Sequence, residues 1–305
     1  MDALASLEHA YRYARRHYPD LEIELVLIDN MSVDPKTLEI YDDLARQPFS
    51  FHVLMTQCTV AGPAAARNVG ISKASGDWIG FLDADDLLDE QGLSELLGAT
   101  FGSEAVDWVI GNAALFYPDA TSRMPVNPLA KYQNGKYTRI DCQRLLYHFA
   151  GFPKYYLGQM IFRARPLKQS EGFCEKHRVA SDWYFLLVLA REYSAIYCPV
   201  TVIHVRRGQI SHTQNPTNVG YVTFRPTIHA ISERRFAAIR RVLRWTLLSQ
   251  TRNARDILWT NGHSFKAALY GLFAGCLAPE KPKLILEALY CLLRRPNVKS
   301  NRSVR

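Results

Sequence analysis

The sequence predicts an α/β fold in which helices flank a parallel or mixed sheet. Strand-like and helix-like segments alternate along the first 115 residues, and two of the strands lead directly into acidic residues, at Asp29 and at Asp83. Acidic side chains at the carboxyl ends of strands lie where open α/β sheets bind ligands. A chain of 305 residues is long enough to bury a sizeable core around such a sheet.

The elements follow from hydrophobic spacing and from the residues that interrupt it. Residues 4–18 have helical spacing, which Pro19-Asp20 ends, and the first strand, Glu24–Asp29, is rich in branched side chains. The segments that follow are assigned in order as helix Thr37–Ala45, strand Phe49–Met55, helix Ala64–Ala74, strand Trp78–Leu82, a helix from about Glu90 to Leu97, and strand Trp108–Ile110.

The alternation fades after Phe116. Residues 117–139 are rich in Pro, Asn, Gly and Tyr, which predicts a long loop. Beyond it, Asp182–Glu192 is predicted to be a strongly apolar helix and Ala195–Val205 an extended segment. After Arg225 the pattern is helical, amphipathic and basic.

The net charge of +8 is unevenly distributed. Residues 225–305 contain 16 Lys and Arg against 4 Asp and Glu, a charge of +12, which leaves −4 for the first 224 residues. With 48% hydrophobic and 22% charged residues, the composition excludes collagen-like and disordered chains. No nucleic-acid recognition motif accompanies the basic tail, so its charge does not favour a nucleic-acid partner.

The six cysteines include no Cys-x-x-Cys pair, which argues against a zinc site or a disulfide framework. The N-terminus lacks the apolar core of a signal peptide, and no window reaches 18 uninterrupted apolar residues. A cytoplasmic location is therefore expected, with any membrane contact peripheral, on the inner face.

Asp83-Ala84-Asp85-Asp86 places three carboxylates within four residues. Carboxylates so close repel one another and are retained more readily where a cation neutralises them, and Mg²⁺ and Mn²⁺ prefer such oxygen ligands. An isolated Asp-x-Asp is common in surface loops. Its place directly after the strand WIGFL favours a binding site.

The stretch GPAAARNVGISKASGDWIGFLDADD, residues 62–86, resembles the signature of family-2 glycosyltransferases, inverting enzymes of the GT-A fold. That signature has a Gly, an Ala-Arg-Asn-x-Gly helix, an Ala-x-Gly-Asp/Glu turn and a strand that ends in Asp-x-Asp-Asp. LIDNMSVD, residues 27–34, resembles the family's Val-Asp-Asp-Gly-Ser-x-Asp. VASDWYFLLVLA resembles its Glu-Asp-Trp helix, and VRRGQIS its Arg-rich closing segment, so the likeness covers roughly residues 4–215.

This resemblance implies a role for each matching residue. Asp29 and Asn30 would contact the base and ribose of a nucleotide sugar, with uridine the favoured base. Asp83 would approach the ribose and the metal, and Asp85 would ligate the Mn²⁺ or Mg²⁺ that holds the diphosphate. Asp182 would be the base that deprotonates the acceptor hydroxyl. The chain would then divide into three parts: a nucleotide-sugar-binding part (1–115), an acceptor-binding part with the catalytic base (116–224) and the basic helical tail (225–305).

Several residues have a second interpretation. Arg67 would contact the nucleotide or else pair with Asp77 or Asp86. Arg206 and Arg207 would clamp the diphosphate or form a solvated charge pair.

The two histidines near the arginine pair and Asp182 also have two interpretations each. Of the two histidines that flank this arginine pair, His204 and His212, we assign His212 to the metal site, although lone histidines are more often ordinary polar residues. Asp182, taken alone, is typical of a residue that interacts with a helix N-terminus.

The sequence departs from the family pattern in two respects. The family's usual first strand, which ends in Pro-x-Tyr-Asn, has no counterpart before residues 4–18. A late start, a replaced strand and an impaired nucleotide site all fit this difference. Asn30 also replaces the second Asp of its motif, and Ser181 replaces the Glu before the base. These changes bear on the donor more than on the fold.

The tail segment Arg234–Leu248 has arginines on one helical face and, on the other, Phe236, Ile239, Val242/Leu243 and Thr246/Leu247. This pattern suits a helix that lies on an anionic membrane, and equally a helix that packs its apolar face in a protein core.

The resemblance implies a metal-dependent inverting glycosyltransferase that moves a sugar from a nucleotide donor, with UDP favoured, to a glycan or lipid-linked acceptor in bacterial surface polysaccharide assembly. The alternative is a non-catalytic, glycosyltransferase-like binding protein. A nucleotidyltransferase is less favoured because no Gly-rich phosphate loop with Lys or Arg lies near the N-terminus.

Overall fold

The computed structural model describes residues 2–101, 106–117, 123–151, 155–177, 179–207, 225–260 and 264–277. The chain divides into two compact units, Met1–Gly208 and Gln209–Arg305, and each is described by itself. The predicted α/β class is confirmed in the first unit, and the helical tail is confirmed in the second. The finer division of residues 1–224 at position 115 stays a prediction.

In the first unit, helices and strands alternate up to β5 much as the hydrophobic spacing predicts. The helices are α1 (Asp2–His17), α2 (Pro35–Arg46), α3 (Pro63–Lys73), α4 (Gly92–Phe101), α5 (Cys142–Gly151), α6 (Ala164–Gln169) and α7 (Ser181–Glu192). The strands are β1 (Glu24–Asp29), β2 (His52–Gln57), β3 (Trp78–Gly80), β4 (Leu87–Leu88), β5 (Trp108–Phe116), β6 (Met124–Val126), β7 (Thr138–Ile140), β8 (Met160–Arg163) and β9 (Ala195–Arg206).

The strands form two sheets. β1 and β2 pair in parallel, in a register that runs from Glu24 opposite His52 to Asp29 opposite Gln57. The larger sheet has the order β3-β8-β5-β9-β4, with β6 added to β5 and β7 added to β9. Only the β5–β9 pair is parallel among the pairs described in this sheet, so it is mixed.

Helices α4 and α7 both contribute to the core around the larger sheet. Residues 183–190 of α7 are buried without interruption, as expected for a helix that is apolar on all sides. The ring of Trp108 on β5 stacks on Phe162 of β8 at 5.5 Å between centroids. Because α7 is held on every side, the residues at its N-terminus have a well-defined position.

The prediction of one continuous loop over residues 117–139 is wrong for part of that segment. Met124–Val126 pairs with β5, and Thr138–Ile140 pairs with β9. Strands of three residues are too short to show a clear period in the sequence, and their pairing with distant strands decides their conformation.

The second unit contains α8 (Arg225–Ser232), a 3-10 segment (Arg234–Ile239), α9 (Arg240–Thr260) and α10 (Ser264–Leu277). The continuous helix predicted from Arg234 is therefore wrong in its first six residues. Among the residues that the structure describes, no helix combines the length and hydrophobicity needed to cross a membrane.

The apolar face predicted for this segment is buried. Phe236, Ile239, Leu243 and Leu247 are each at most 2% exposed. These side chains are therefore not available to a lipid surface, and of the two interpretations of the amphipathic pattern, core packing describes this face.

Candidate functional site

β1 ends in a tight turn built around Asp29. This side chain is only 8% exposed, and its Oδ1 accepts a hydrogen bond from the backbone N–H of Ser32 at 3.0 Å. The carbonyl of Asp29 accepts another from Cys58 N at 2.8 Å, which joins the ends of β1 and β2. Asp29 therefore shapes the strand end where the nucleotide is expected.

Asn30 connects this turn to the loop before α3. Its Nδ2 donates to the carbonyl of Val60 at 2.7 Å, and its Oδ1 accepts from Gly62 N at 2.8 Å. An ionised aspartate could accept from Gly62 but could not donate to Val60, so the amide suits this loop. Asn30 thus has a structural role beside its predicted nucleotide contact, which stays a prediction.

Met31 follows in a left-handed backbone conformation, with φ of 62°, and its side chain is 55% exposed. This is the position at which the quoted family pattern has Gly. A side chain in this conformation costs about 1–2 kcal/mol, because Cβ approaches the following carbonyl oxygen.

Met31→Gly is expected to stabilise the chain by about 0.5–1 kcal/mol, since relief of the strain exceeds the extra backbone entropy that Gly loses on folding. Thermal unfolding measures this as a rise in Tm of about 1–4 °C. Met31→Ala is the matched control, because it removes the same exposed side chain and keeps Cβ. A Tm that rises equally in both variants would show that the backbone strain is not the cause.

The acidic turn after β3 separates its carboxylates by burial. Asp83 and Asp85 are exposed, whereas Asp86 is only 5% exposed and its Oδ1 accepts from Arg206 N at 3.0 Å. Burial is the main cause that raises the pKa of Asp86 to about 7, and the nearby charges of Asp85 and Asp83 raise it further. Asp86 therefore ties the turn to β9, and the two exposed carboxylates supply oxygen atoms of the kind that a hard divalent cation prefers.

Arg67, on α3, binds the first of these carboxylates. Its Nη2 lies 2.9 Å from Oδ1 of Asp83, and its guanidinium carbon lies 5.6 Å from the ring centroid of Phe173. The ion pair that the sequence suggested with Asp77 or Asp86 is wrong in its partner. Only 18% of the Arg67 side chain is exposed. The ion pair therefore fixes the positively charged guanidinium group at the edge of the acidic turn.

Asp182 is the second residue of α7 and lies close to this pair. Its Oδ1 accepts from Trp183 N at 2.8 Å, which satisfies one N–H of the helix terminus as the simpler interpretation predicts. Burial raises the pKa of Asp182, the cation of Arg67 lowers it, and the anion of Asp83 raises it. The ring of Phe173 joins the two elements, because it lies under the guanidinium of Arg67 and stacks on Phe185 in the first turns of α7.

Arg206 and Arg207 end β9 with their guanidinium groups engaged. Arg206 Nε donates to the carbonyl of Asp85 at 3.0 Å, and its Nη2 lies 2.9 Å from Oδ2 of Asp2. Arg207 Nη2 donates to the hydroxyl of Tyr156, and its guanidinium stacks over that ring at 5.3 Å. The interpretation of a solvated charge pair is therefore wrong. A diphosphate contact by either arginine stays a prediction.

The first of the two candidate histidines, His204, is a buried residue of β9. His204 is 7% exposed, and its Nε2 lies 2.9 Å from Oδ2 of Asp89 and 2.6 Å from Nη1 of Arg123. His204 is thus held by polar contacts with Asp89 and Arg123. His212, the predicted metal ligand, lies outside the described residues.

Sequence reasoning missed the contribution of the loop before α7, which brings Phe173 against Arg67. The residue of α3 that holds this loop, Asn68, stood within the recognised Ala-Arg-Asn-x-Gly pattern. That pattern is the one sequence signal that marked it, because nothing in the loop's own spacing indicates its partner.

These features describe an α/β domain with an acidic turn, a paired arginine and a half-buried carboxylate at the carboxyl edge of its strands. The chain belongs to glycosyl transferase family 2, whose family model matches residues 3–161, more than half of the sequence.

Curated relatives match shorter segments. An uncharacterized glycosyltransferase of Haemophilus influenzae is 44% identical over 75 residues, which is 25% of this chain and 29% of that protein. TarS of Staphylococcus aureus, a poly(ribitol-phosphate) beta-N-acetylglucosaminyltransferase, is 30% identical over 82 residues, 27% of this chain and 14% of TarS. In each of the curated relatives that match, the chain spans less than a third of the length.

Among solved structures, the crystal structure of Staphylococcus aureus TarS 1–349 resembles this chain with a TM-score of 0.57 and 15% identity, covering 95% of this chain and 82% of that one. At this identity the likeness concerns the fold, and it confirms the GT-A architecture.

Proposed function

We propose that this chain is a metal-dependent inverting glycosyltransferase that moves a sugar from a nucleotide donor to a glycan or lipid-linked acceptor. One observation carries the proposal: Arg67, paired with Asp83, lies over the ring of Phe173, and that ring stacks on Phe185 of α7, the helix whose second residue is Asp182. A half-buried carboxylate and an acidic turn of the kind that binds metals supply the two groups that inverting transfer needs, a base and a cation site.

Asp83 and Asp85 would hold Mn²⁺ or Mg²⁺ through their exposed oxygen atoms. When bound, the cation neutralises negative charge on the departing diphosphate. The two residues differ in their freedom, because Asp83 already accepts a hydrogen bond from Arg67. The side chain of Asp85 has no hydrogen-bond or ion-pair partner among the described residues, which leaves its carboxylate available to the cation.

Asp182 would act as the general base. It takes the proton of an acceptor hydroxyl, the oxygen attacks the anomeric carbon of the donor sugar, and the bond from that carbon to the diphosphate breaks on the opposite face. The configuration at the anomeric carbon is thereby inverted, and the diphosphate leaves with the bond's electron pair. A raised pKa suits this role, because it makes Asp182 a stronger base than an exposed aspartate.

The donor is proposed to be a uridine diphosphate sugar. Asp29 and Asn30 would meet the base and ribose at the end of β1, and Arg206 and Arg207 would lie toward the diphosphate. The relatives support a hexosyl or N-acetylhexosaminyl group and a bacterial surface polymer as acceptor, because TarS is named an N-acetylglucosaminyltransferase and GgaA of Bacillus subtilis a minor teichoic acid biosynthesis protein.

A lipid-linked acceptor would be met at an anionic membrane, and the second unit offers a surface for it. Arg241, Arg244, Trp245 and Arg252 are exposed on α9, and an indole among arginines suits a lipid headgroup region. The membrane surface proposed here is the exposed, basic face of α9. It lies opposite the buried apolar face that the sequence pattern suggests. Cosedimentation with vesicles that contain anionic lipid should exceed cosedimentation with neutral vesicles, and equal binding to both would contradict it.

Calorimetric titration of UDP into the 305-residue chain, with and without Mn²⁺, tests the proposed function. We expect binding that is stronger with Mn²⁺, because the cation joins the diphosphate to the exposed carboxylates. GDP titrated under the same conditions measures the preference for the base. If neither nucleotide binds in the presence of Mn²⁺ or Mg²⁺, the chain is better described as a non-catalytic protein of this fold.

A further inference from the structure

Asn68 joins α3 to the loop before α7 through its side-chain amide. Its Oδ1 accepts from Phe173 N at 2.8 Å, and its Nδ2 donates to Phe173 O at 3.0 Å. The same Nδ2 also donates to Oε1 of Glu175 at 2.9 Å. One side chain therefore satisfies both backbone groups of a residue that lies 105 positions away in the sequence.

Gly172 makes this close approach possible. Its φ is +66°, and a Cβ atom at this position would lie 2.7 Å from Oδ1 of Asn68. Any other residue would meet both an unfavourable backbone conformation and the amide itself. The absence of a side chain at Gly172 therefore lets the loop approach the amide of Asn68 closely.

The clamped residue, Phe173, contacts both halves of the candidate site. Its ring stacks on Phe185 of α7 with 4.0 Å between centroids, and it lies under the guanidinium of Arg67 at 5.6 Å. It also meets the edge of Phe81, which follows β3, at 5.5 Å. Phe173 is 2% exposed and closely packed. A shift of its backbone would therefore displace the three side chains that contact its ring.

We propose that Asn68 is a positioning residue, which fixes the Gly172–Phe173 loop so that Arg67 and the N-terminal turn of α7 keep a constant relative position. The inference rests on the proposed function, because the geometry that it protects is that of Asp182 beside the Arg67–Asp83 pair. Asn68 itself touches no reacting atom.

Asn68→Asp is the sharpest test, because it keeps the shape and the acceptor oxygen and loses both donated hydrogen bonds. It also places a second negative charge beside Glu175. We expect kcat for sugar transfer to fall by about 10–100-fold, the range seen when a group that orients a functional side chain is lost. The Kd for UDP should change by less than about twofold, since the amide of Asn68 is engaged by Phe173 and Glu175. Asn134→Asp, the same change at an exposed loop residue, should leave both quantities unchanged.

Amide hydrogen exchange gives a readout that does not depend on turnover. In Asn68→Asp, exchange should be faster in peptides that cover 172–177 and 181–187 and unchanged in peptides from α2. Gly172→Ala should reproduce both the faster exchange and the lower kcat, and the double variant should lose little more than either single one, because both break one clamp.

Unchanged exchange at 172–177 and 181–187 would overturn the inference, and so would faster exchange with full kcat. If the unsubstituted chain transfers no sugar, the proposed function fails, and the exchange result still decides whether Asn68 holds the loop.

Discussion

Asp182→Asn is expected to lower the rate of sugar transfer by about 10²–10⁴-fold, the usual contribution of a general base. The amide keeps the acceptor oxygen that receives the N–H of Trp183, so the helix terminus should remain intact. It cannot take a proton from the acceptor hydroxyl. In the proposed mechanism Asp182 meets the acceptor and not the diphosphate, so the Kd for UDP should stay within about twofold of the unsubstituted chain.

Glu192→Gln is the matched control for this substitution, since it converts an exposed acid to its amide at the opposite end of the same helix. It should transfer sugar at the unsubstituted rate. An Asp182→Asn variant with full activity would remove Asp182 from the mechanism, whatever its effect on stability.

The pH dependence of the same reaction follows from the raised pKa of Asp182. A base must be deprotonated to act, so the rate should fall as the pH falls through the pKa of this carboxyl, at a higher pH than an ordinary aspartate with a pKa of about 3.9 would give. Since the cation of Arg67 lowers this pKa, Arg67→Met should move the acid limb of the rate profile to still higher pH. Rate measurements across the pH range in the two chains test the direction of the shift.

The elements that could be predicted from the sequence are those whose signal is local. Glu24–Asp29 is a strand in both the prediction and the structure, because its branched side chains and the turn residues behind it act within a few positions. The acidic turn at Asp83 was found in the same way. Residues whose partners are distant could not be placed: the spacing did not reveal that Arg67 pairs with Asp83, or that Asn30 holds the loop at Val60.

The tail shows a different limit of sequence reasoning. Helical spacing predicted its helices, but an apolar stripe beside arginines fits a membrane surface and a protein core equally well. Burial of Phe236 and Leu243 separates the two, and burial is a property of the folded chain that one-dimensional spacing does not contain.

Asp85→Ala is expected to abolish the metal-dependent part of UDP binding, so that the Kd measured with Mn²⁺ equals the Kd without it. Sugar transfer should fall by about 10²–10³-fold, the effect of losing one electrostatic contact to a developing charge. Asp85 is the most informative of the three carboxylates. Asp86 is buried and accepts a hydrogen bond from β9, so its removal would disturb the fold. Asp83 is paired with Arg67, so its removal would leave that guanidinium without its carboxylate partner.

The structure gives a matched control for Asp85→Ala at the other end of β3. Asp77 is also an exposed aspartate, but it precedes β3, whereas Asp85 follows it. Asp77→Ala therefore removes an equal charge at the opposite end of β3 and should bind UDP with full dependence on Mn²⁺. If both variants weaken UDP binding equally, the effect is one of overall charge. If Asp85→Ala alone loses the metal dependence, the cation is held at the carboxyl end of β3, beside the ion pair of Arg67 and Asp83.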